Sequence, residues 1–189
     1  MTILLLAGSP TLPSRSAGLL QHVGDALLQR GHRIERLQVR DLPAEALMHA
    51  DFANVDVQVA RAQLAQADAV VIATPIYKAS FSGVLKAFLD LLPQDGLAGK
   101  LVLPLATGGS QSHMLALDYA LRPVLHALAA HHILPGVFAT DAQVHWSAET
   151  GLVLDPTIAQ RLADAVALLS QGLLQADATR RCRVEPLAA

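Results

Sequence analysis

The stretch ILLLAGSPTLPSRS, residues 3–16, passes from five apolar residues into a loop carrying two prolines, three serines and an arginine. Ile3–Ala7 is too short for an ordinary helix and far short of the ~20 residues of a membrane span, so it reads as a strand. It is apolar on both faces and therefore needs cover on both sides. That is the requirement of a parallel sheet held between helices.

Runs of the same kind recur at 69–74 (AVVIAT), 101–107 (LVLPLAT) and 133–139 (ILPGVFA), with a weaker one at 33–39 (RIERLQV). Between them lie stretches with helical spacing. These predict helices over Ser16–Arg30, ended by Gly31, over Gln58–Ala67, over Gly83–Leu92, stopped by Pro93, over His113–His131, and over Thr157–Leu174 after DPT. The alternation βαβαβαβαβα with right-handed crossovers predicts an α/β fold, a flavodoxin-like doubly wound five-stranded parallel sheet in the order 2-1-3-4-5 with helices on both faces. Residues 1–175 are expected to form one domain, and 176–189 a poorly ordered C-terminal tail. The connection Asp41–Asn54 has no evident pattern.

The 189 residues suffice to bury roughly 70% of the unfolded surface in a single core. Composition is 52% hydrophobic but only 4% aromatic and 16% charged, so the core is Leu, Ala and Val and the surface is sparing in charge. Such a surface favours self-association. A formal charge of −2 with no dense basic block argues against nucleic acid. Cys182 has no second cysteine to pair with, and Ile3–Ala7 lacks a basic flank, so the chain is expected to be cytoplasmic, with no membrane segment.

In an open parallel sheet, ligands bind beyond the carboxyl ends of the strands. After the first strand, Ser9, Ser14 and Ser16 offer hydroxyls and Arg15 a forked cation where a helix begins. That set suits a phosphate dianion, although a serine cap beside an exposed arginine would look the same. There is no G-x-G-x-x-G and no G-x-x-x-x-G-K-[ST], so neither a dinucleotide turn nor a triphosphate loop is indicated. After the third strand, Pro75, Ile76 and Tyr77 offer a flat surface for a planar ring, and Lys78 follows. After the fourth, Thr107, Gly108 and Gly109 let the backbone approach a heterocycle closely enough to hydrogen-bond it. A phosphate pocket at one end and a planar, hydrogen-bonding slot at the other match the shape of flavin mononucleotide (FMN).

AGSPTLPSRS (7–16), ADAVVIATPIYKASFSGVLKAFLDLLP (67–93) and GKLVLPLATGGSQSHMLALDYALRPVL (99–125) resemble the NAD(P)H-dependent FMN reductase family, above all the flavin reductase component of two-component alkanesulfonate monooxygenase systems. The resemblance covers about residues 1–145. It implies that Ser9, Arg15 and Ser16 hold the FMN phosphate, that Pro75, Ile76 and Tyr77 line the isoalloxazine, and that Thr107, Gly108 and Gly109 meet its polar edge. It further implies FMN reduction by NADPH and delivery of reduced FMN to an FMNH2-dependent monooxygenase in sulfur acquisition. An FMN-retaining quinone or azo reductase, or a non-enzymatic electron carrier, remains open at this point.

SHMLALDYALRPVLHALAAHH, residues 112–132, is apolar nearly all round, so its helix is expected to pack against another subunit. Pro123 has no N–H for the carbonyl of Tyr119, which predicts a π-bulge or kink there. The resembled reductases are tetramers with such an inserted tyrosine at the interface, so Tyr119 is expected at the interface of a homo-oligomer, a tetramer or a dimer. The histidines at 113, 126, 131, 132 and 145 lack carboxylates at metal-ligand spacing, and no metal is expected. Hydride transfer between cofactors needs orientation more than a protein acid or base, so no catalytic side chain is assigned.

Overall fold

In a computed structural model, residues 1–147 and 151–184 are described. The chain runs through β1 (Thr2–Ala7), α1 (Arg15–Gln29), β2 (Arg33–Gln38), α2 (Ala44–Met48), α3 (Val55–Gln66), β3 (Ala69–Tyr77), β4 (Ser80–Phe81), α4 (Gly83–Leu89) and β5 (Leu101–Gly108). A π-helical turn, Leu117–Leu121, leads into α5 (Arg122–Ala127), followed by β6 (His132–Ile133), β7 (Val137–Thr140), the hairpin β8 (Val144–Ser147) and β9 (Gly151–Leu154), and α6 (Pro156–Val184).

The sheet order is β2-β1-β3-β5, with β6 and β7 side by side along the far edge of β5. These strands pair in parallel, with Leu6 opposite Ile72 and Ala73 opposite Leu105. This is the flavodoxin-like 2-1-3-4-5 arrangement, except that its fifth strand is in two pieces. The interruption at 134–136 is a bulge: four steps from Ile133 to Val137 stand against three from Val102 to Leu105, and Pro104 of β5, on the side facing it, has no N–H to give. The ladder bonds resume at Val137 opposite Leu105.

Period-two alternation sorts the core. Leu4, Leu6, Val70, Ile72, Val102 and Ala106 face one side with Leu64, Leu85, Phe88 and Leu125, while Ile3, Leu5, Val71, Ala73, Leu103 and Leu105 face the other with Leu19, Val23, Leu162 and Leu169. Thus α1 and α6 cover one face and α2 to α5 the other. Gly24 of α1 lets that helix settle onto Leu5, whose side chain occupies the space a Cβ would need. Gly31 ends the α1 region with φ +83°, a left-handed conformation that glycine adopts without strain.

Several boundaries differ from expectation. Helix α3 begins at Val55 because the Asn54 side chain accepts hydrogen bonds from the N–H groups of Asp56 and Val57. Helix α4 stops at Leu89, although Leu91 and Leu92 beyond it are buried. The expected helix over His113–His131 is instead a single turn, Gln111–His113, followed by the π-helical turn and the short α5. The Arg122 N–H reaches back to the Leu117 carbonyl, the five-residue step anticipated from Pro123. Helix α6 continues past Leu174 to Val184, so 176–184 are helical rather than an irregular tail. Ala176 and Ala178 favour a helix even where no apolar stripe marks one. Residues 185–189 lie outside the described set. Within Asp41–Asn54 the chain makes α2 and two turns, with Ala46 and Leu47 buried.

Buried His32 links the end of α1 to α6 through a 2.8 Å hydrogen bond between its Nε2 and the Ser170 hydroxyl. Burial lowers its pKa below the ordinary 6.5, and the positive N-terminus and Arg30 push the same way. The unfolded chain therefore binds the proton more readily than the folded one. Stability should fall as pH drops through 6.5, and go on falling until the folded form also takes up the proton. We expect the melting temperature to decline between about pH 7.5 and pH 5.5, and the decline to be shallower in His32→Gln. Equal slopes in thermal melts of the two proteins would show that His32 does not carry the effect.

Candidate functional site

The carboxyl ends of β3 and β5 and the segments following β1 and β7 meet at one edge of the sheet, as the parallel winding requires. Ser9, Ser14, Arg15, Pro75, Ile76, Tyr77, Thr107, Gly108 and Gly109, expected from sequence to form one site, line a single open cleft. Its volume of about 150 Å³ is below the ~300–1,000 Å³ of enclosed small-molecule pockets, so it is a shallow cleft that would enclose a ligand only in part. Thr11, Pro13 and Asp141 complete the wall.

The first loop is internally braced. The Ser9 hydroxyl donates to the Thr11 carbonyl and accepts from the Thr11 N–H, at 3.3 and 3.4 Å. Ser14 caps α1, its Oγ accepting from the Ala17 N–H, and lies 3.0 Å from the Ser16 Oγ. Ser16 is fully buried behind that contact and does not line the cleft. The serine cap and the hydroxyl-lined loop are therefore both present, in one segment. Arg40, which follows β2, donates to the Thr11 carbonyl at 3.0 Å and steadies the loop from outside.

Arg15 stands at the head of α1, where the helix presents its first N–H groups and partial positive charge. Its Nε donates to the Val144 carbonyl at 3.1 Å, and its Nη1 lies 3.8 Å from Asp141 Oδ1. Both side chains of that pair are about half exposed, so the ion pair is weak in water.

The segment after the third strand is less of a loop than its composition suggests. Strand β3 continues through Tyr77, and Ile76 and Tyr77 pair antiparallel with Phe81 and Ser80 of β4. Lys78 and Ala79 make the tight turn of this hairpin with φ of +49° and +62°. Lys78 consequently sits at the hairpin tip and is not part of the cleft wall. Pro75–Tyr77 are held as extended backbone, a stiffer platform than a loop would be. The hairpin is fastened below, where the Ser82 N–H donates to Thr74 Oγ1 at 3.0 Å and the Ser82 hydroxyl donates to the Gly8 carbonyl. Gly8 itself has no room for a side chain, since a Cβ would come within 2.8 Å of Leu85 Cβ.

Gly108 ends β5, and a Cβ there would stand 3.3 Å from the Phe138 ring and 3.5 Å from Ile76 Cβ. At Gly109 the nearest atom to such a Cβ is Asp141 Oδ2, at 3.9 Å, which leaves the backbone open to a ligand. The cleft thus carries hydroxyls, a helix N-terminus and a guanidinium, together with extended apolar backbone and approachable glycines. That donor set fits a phosphate monoester joined to a planar heterocycle, as in FMN.

Asp141 escaped sequence reading although the signal existed: it follows the fifth strand as Ser9, Tyr77 and Gly109 follow or end theirs. Tyr119 lies outside the cleft, its hydroxyl donating to the Ala79 carbonyl at the hairpin turn. Among the described residues no group of His, Cys, Asp and Glu is placed to hold a metal, and no helix is long and apolar enough to cross a membrane.

Comparison with known proteins identifies the family. Residues 1–145 match the family described as NADPH-dependent FMN reductase. A protein of Pseudomonas putida named FMN reductase (NADPH) is 53% identical over 150 residues, covering 79% of this chain and 76% of its own. One of the same name from Escherichia coli is 49% identical over 144 residues, covering 76% and 75%. The crystal structure of an NADH:FMN oxidoreductase (EMOB) in its apo form superposes with a TM-score of 0.82 at 40% identity, covering 90% of this chain and 89% of that one.

Proposed function

The chain belongs to the NADPH-dependent FMN reductase family, an oxidoreductase acting on FMN and a reduced nicotinamide nucleotide, and from that premise we propose that it reduces FMN with NADPH and releases the product to a separate FMNH2-dependent monooxygenase that cleaves alkanesulfonates. The observation that carries the binding part is the gathering of Ser14, Arg15, Pro75–Tyr77 and Gly108–Gly109 around one cleft. When bound, FMN would supply the redox chemistry as acceptor of a hydride from the nicotinamide. The protein's task is to hold and orient its two reactants.

In this reading Arg15 clamps the FMN phosphate, with Ser9, Ser14 and the head of α1 around it. Ser16 acts from behind by fixing the Ser14 hydroxyl. Pro75, Ile76 and Tyr77 support the ring, Thr107 and the Gly108 and Gly109 backbone meet its polar edge, and Lys78 is left to the rim. The cleft wall carries one carboxylate, Asp141. The monooxygenase partner rests on the resemblance of residues 7–16, 67–93 and 99–125 to the reductases of such systems.

Mixing the purified protein with NADPH and FMN and following loss of the NADPH absorbance tests the reaction. A rate no greater than without protein would refute it. Adding riboflavin in place of FMN tests the phosphate requirement, and coupling to a candidate sulfonate monooxygenase tests delivery.

We also propose that the π-helical turn lies at the interface of a homo-oligomer, a tetramer or a dimer. Leu115 and Tyr119 are 57% and 55% exposed there, and Tyr77 of the adjoining hairpin is 48% exposed. Large apolar groups left open beside one another favour burial by association. Tyr119→Ala is expected to shift the protein to a smaller species by light scattering after gel filtration, and to lower flavin turnover. If neither changes, Tyr119 has no such role.

A further inference from the structure

Asp141 is the acidic member of the cleft wall, at the first position beyond β7. One of its oxygens is 3.8 Å from Arg15 Nη1, and the other is 3.9 Å from the position a Cβ on Gly109 would take. The carboxylate thus stands between the guanidinium and the open glycine backbone. Val144, three positions on, engages the same arginine through its carbonyl. A phosphate dianion arriving at Arg15 must displace the carboxylate or settle a few ångströms from it, and either course weakens binding.

We propose that Asp141 is a release residue: it competes with the flavin phosphate for Arg15 and so keeps FMN and its reduced product from being held too tightly to hand over. Reduction changes the ring and leaves the phosphate as it was. A carboxylate acting on the phosphate therefore speeds departure of the product without altering which redox form the site prefers. The proposal rests on the reading of Arg15 as the phosphate clamp.

Asp141→Asn keeps the shape and removes the charge. The neighbouring turn is secured by the Thr140 and Gln143 side chains rather than by Asp141, so the substitution leaves its capping intact. Kd values for FMN and riboflavin are measured by flavin fluorescence titration, in wild type, Asp141→Asn, Arg15→Ala and the double variant. Asp141→Asn is expected to bind FMN about 5- to 10-fold more tightly at low ionic strength, with a smaller gain at high salt. Riboflavin affinity should change less than about twofold, and most of the FMN gain should vanish when Arg15 is alanine. Unchanged or weaker FMN binding in Asp141→Asn overturns the proposal. So does an equal change for FMN and riboflavin, which would place the carboxylate against the ring or sugar chain. If Arg15→Ala alone leaves FMN affinity unaltered, the phosphate clamp itself fails, a result read from a protein that still carries Asp141.

Discussion

Arg15→Ala should raise the Kd for FMN about 10- to 100-fold, the loss expected when charge-assisted hydrogen bonds worth ~1.5–3 kcal/mol disappear from a phosphate site. Riboflavin, which lacks the phosphate, should bind the variant and the wild type alike. The fold should survive, because Arg15 is half exposed, its ion pair with Asp141 is long, and the cap on α1 belongs to Ser14. Arg15→Lys should recover only part of the affinity, since an ammonium cannot present the guanidinium's two parallel donors. Fluorescence titration checks each point, and an FMN Kd within about twofold of wild type would remove Arg15 from the phosphate end.

Phe138→Ala should cost ~3–5 kcal/mol of stability, as removal of a large buried aromatic does. Phe138 is 1% exposed in β7, and its ring backs the position of Gly108 at 3.3 Å. The cavity would therefore open directly behind the cleft wall, and FMN binding should weaken along with stability. Phe138→Leu refills most of the space and should restore most of both. Denaturant midpoints with unchanged slopes would establish the stability loss. A loss below about 1 kcal/mol would mean that the neighbouring side chains collapse into the gap.

The legibility of individual features followed the range of the forces behind them. Pro123 announced the π-helical turn at Leu117–Leu121, because a missing N–H disturbs the carbonyls one turn back whatever surrounds it. The length of that helix was overestimated for the opposite reason. Leu115, Met114 and Ala116 continue the apolar pattern, but only Ala116 of the three is buried, so pattern alone does not distinguish packed from exposed apolar residues. Pro75–Tyr77 were read as loop from their proline and their polar surroundings, whereas pairing with Ser80–Phe81 keeps them in strand. That pairing depends on a turn in which Lys78 and Ala79 adopt positive φ without glycine, a conformation that residue type does not signal.

Apolar runs without alternation, separated by helical spacing, were enough to define the doubly wound sheet; right-handed crossovers restrict its order, and the pairing of β1 between β2 and β3 is seen in the tertiary structure. The sheet and that restriction are consequences of burial on two faces and of backbone chirality, which act on any chain with that pattern. The same reasoning placed Ser9, Arg15, Pro75 and Gly108 at one edge. Packing alone determined which of those groups point into the cleft, and what opposes them. Ser16 was turned inward and Lys78 outward, and Arg15 was brought to Val144, 129 positions away, with Asp141 beside it. Contacts of that separation depend on how α1 and the β7–β8 connection dock on the sheet, and no local periodicity encodes the last few ångströms of that docking.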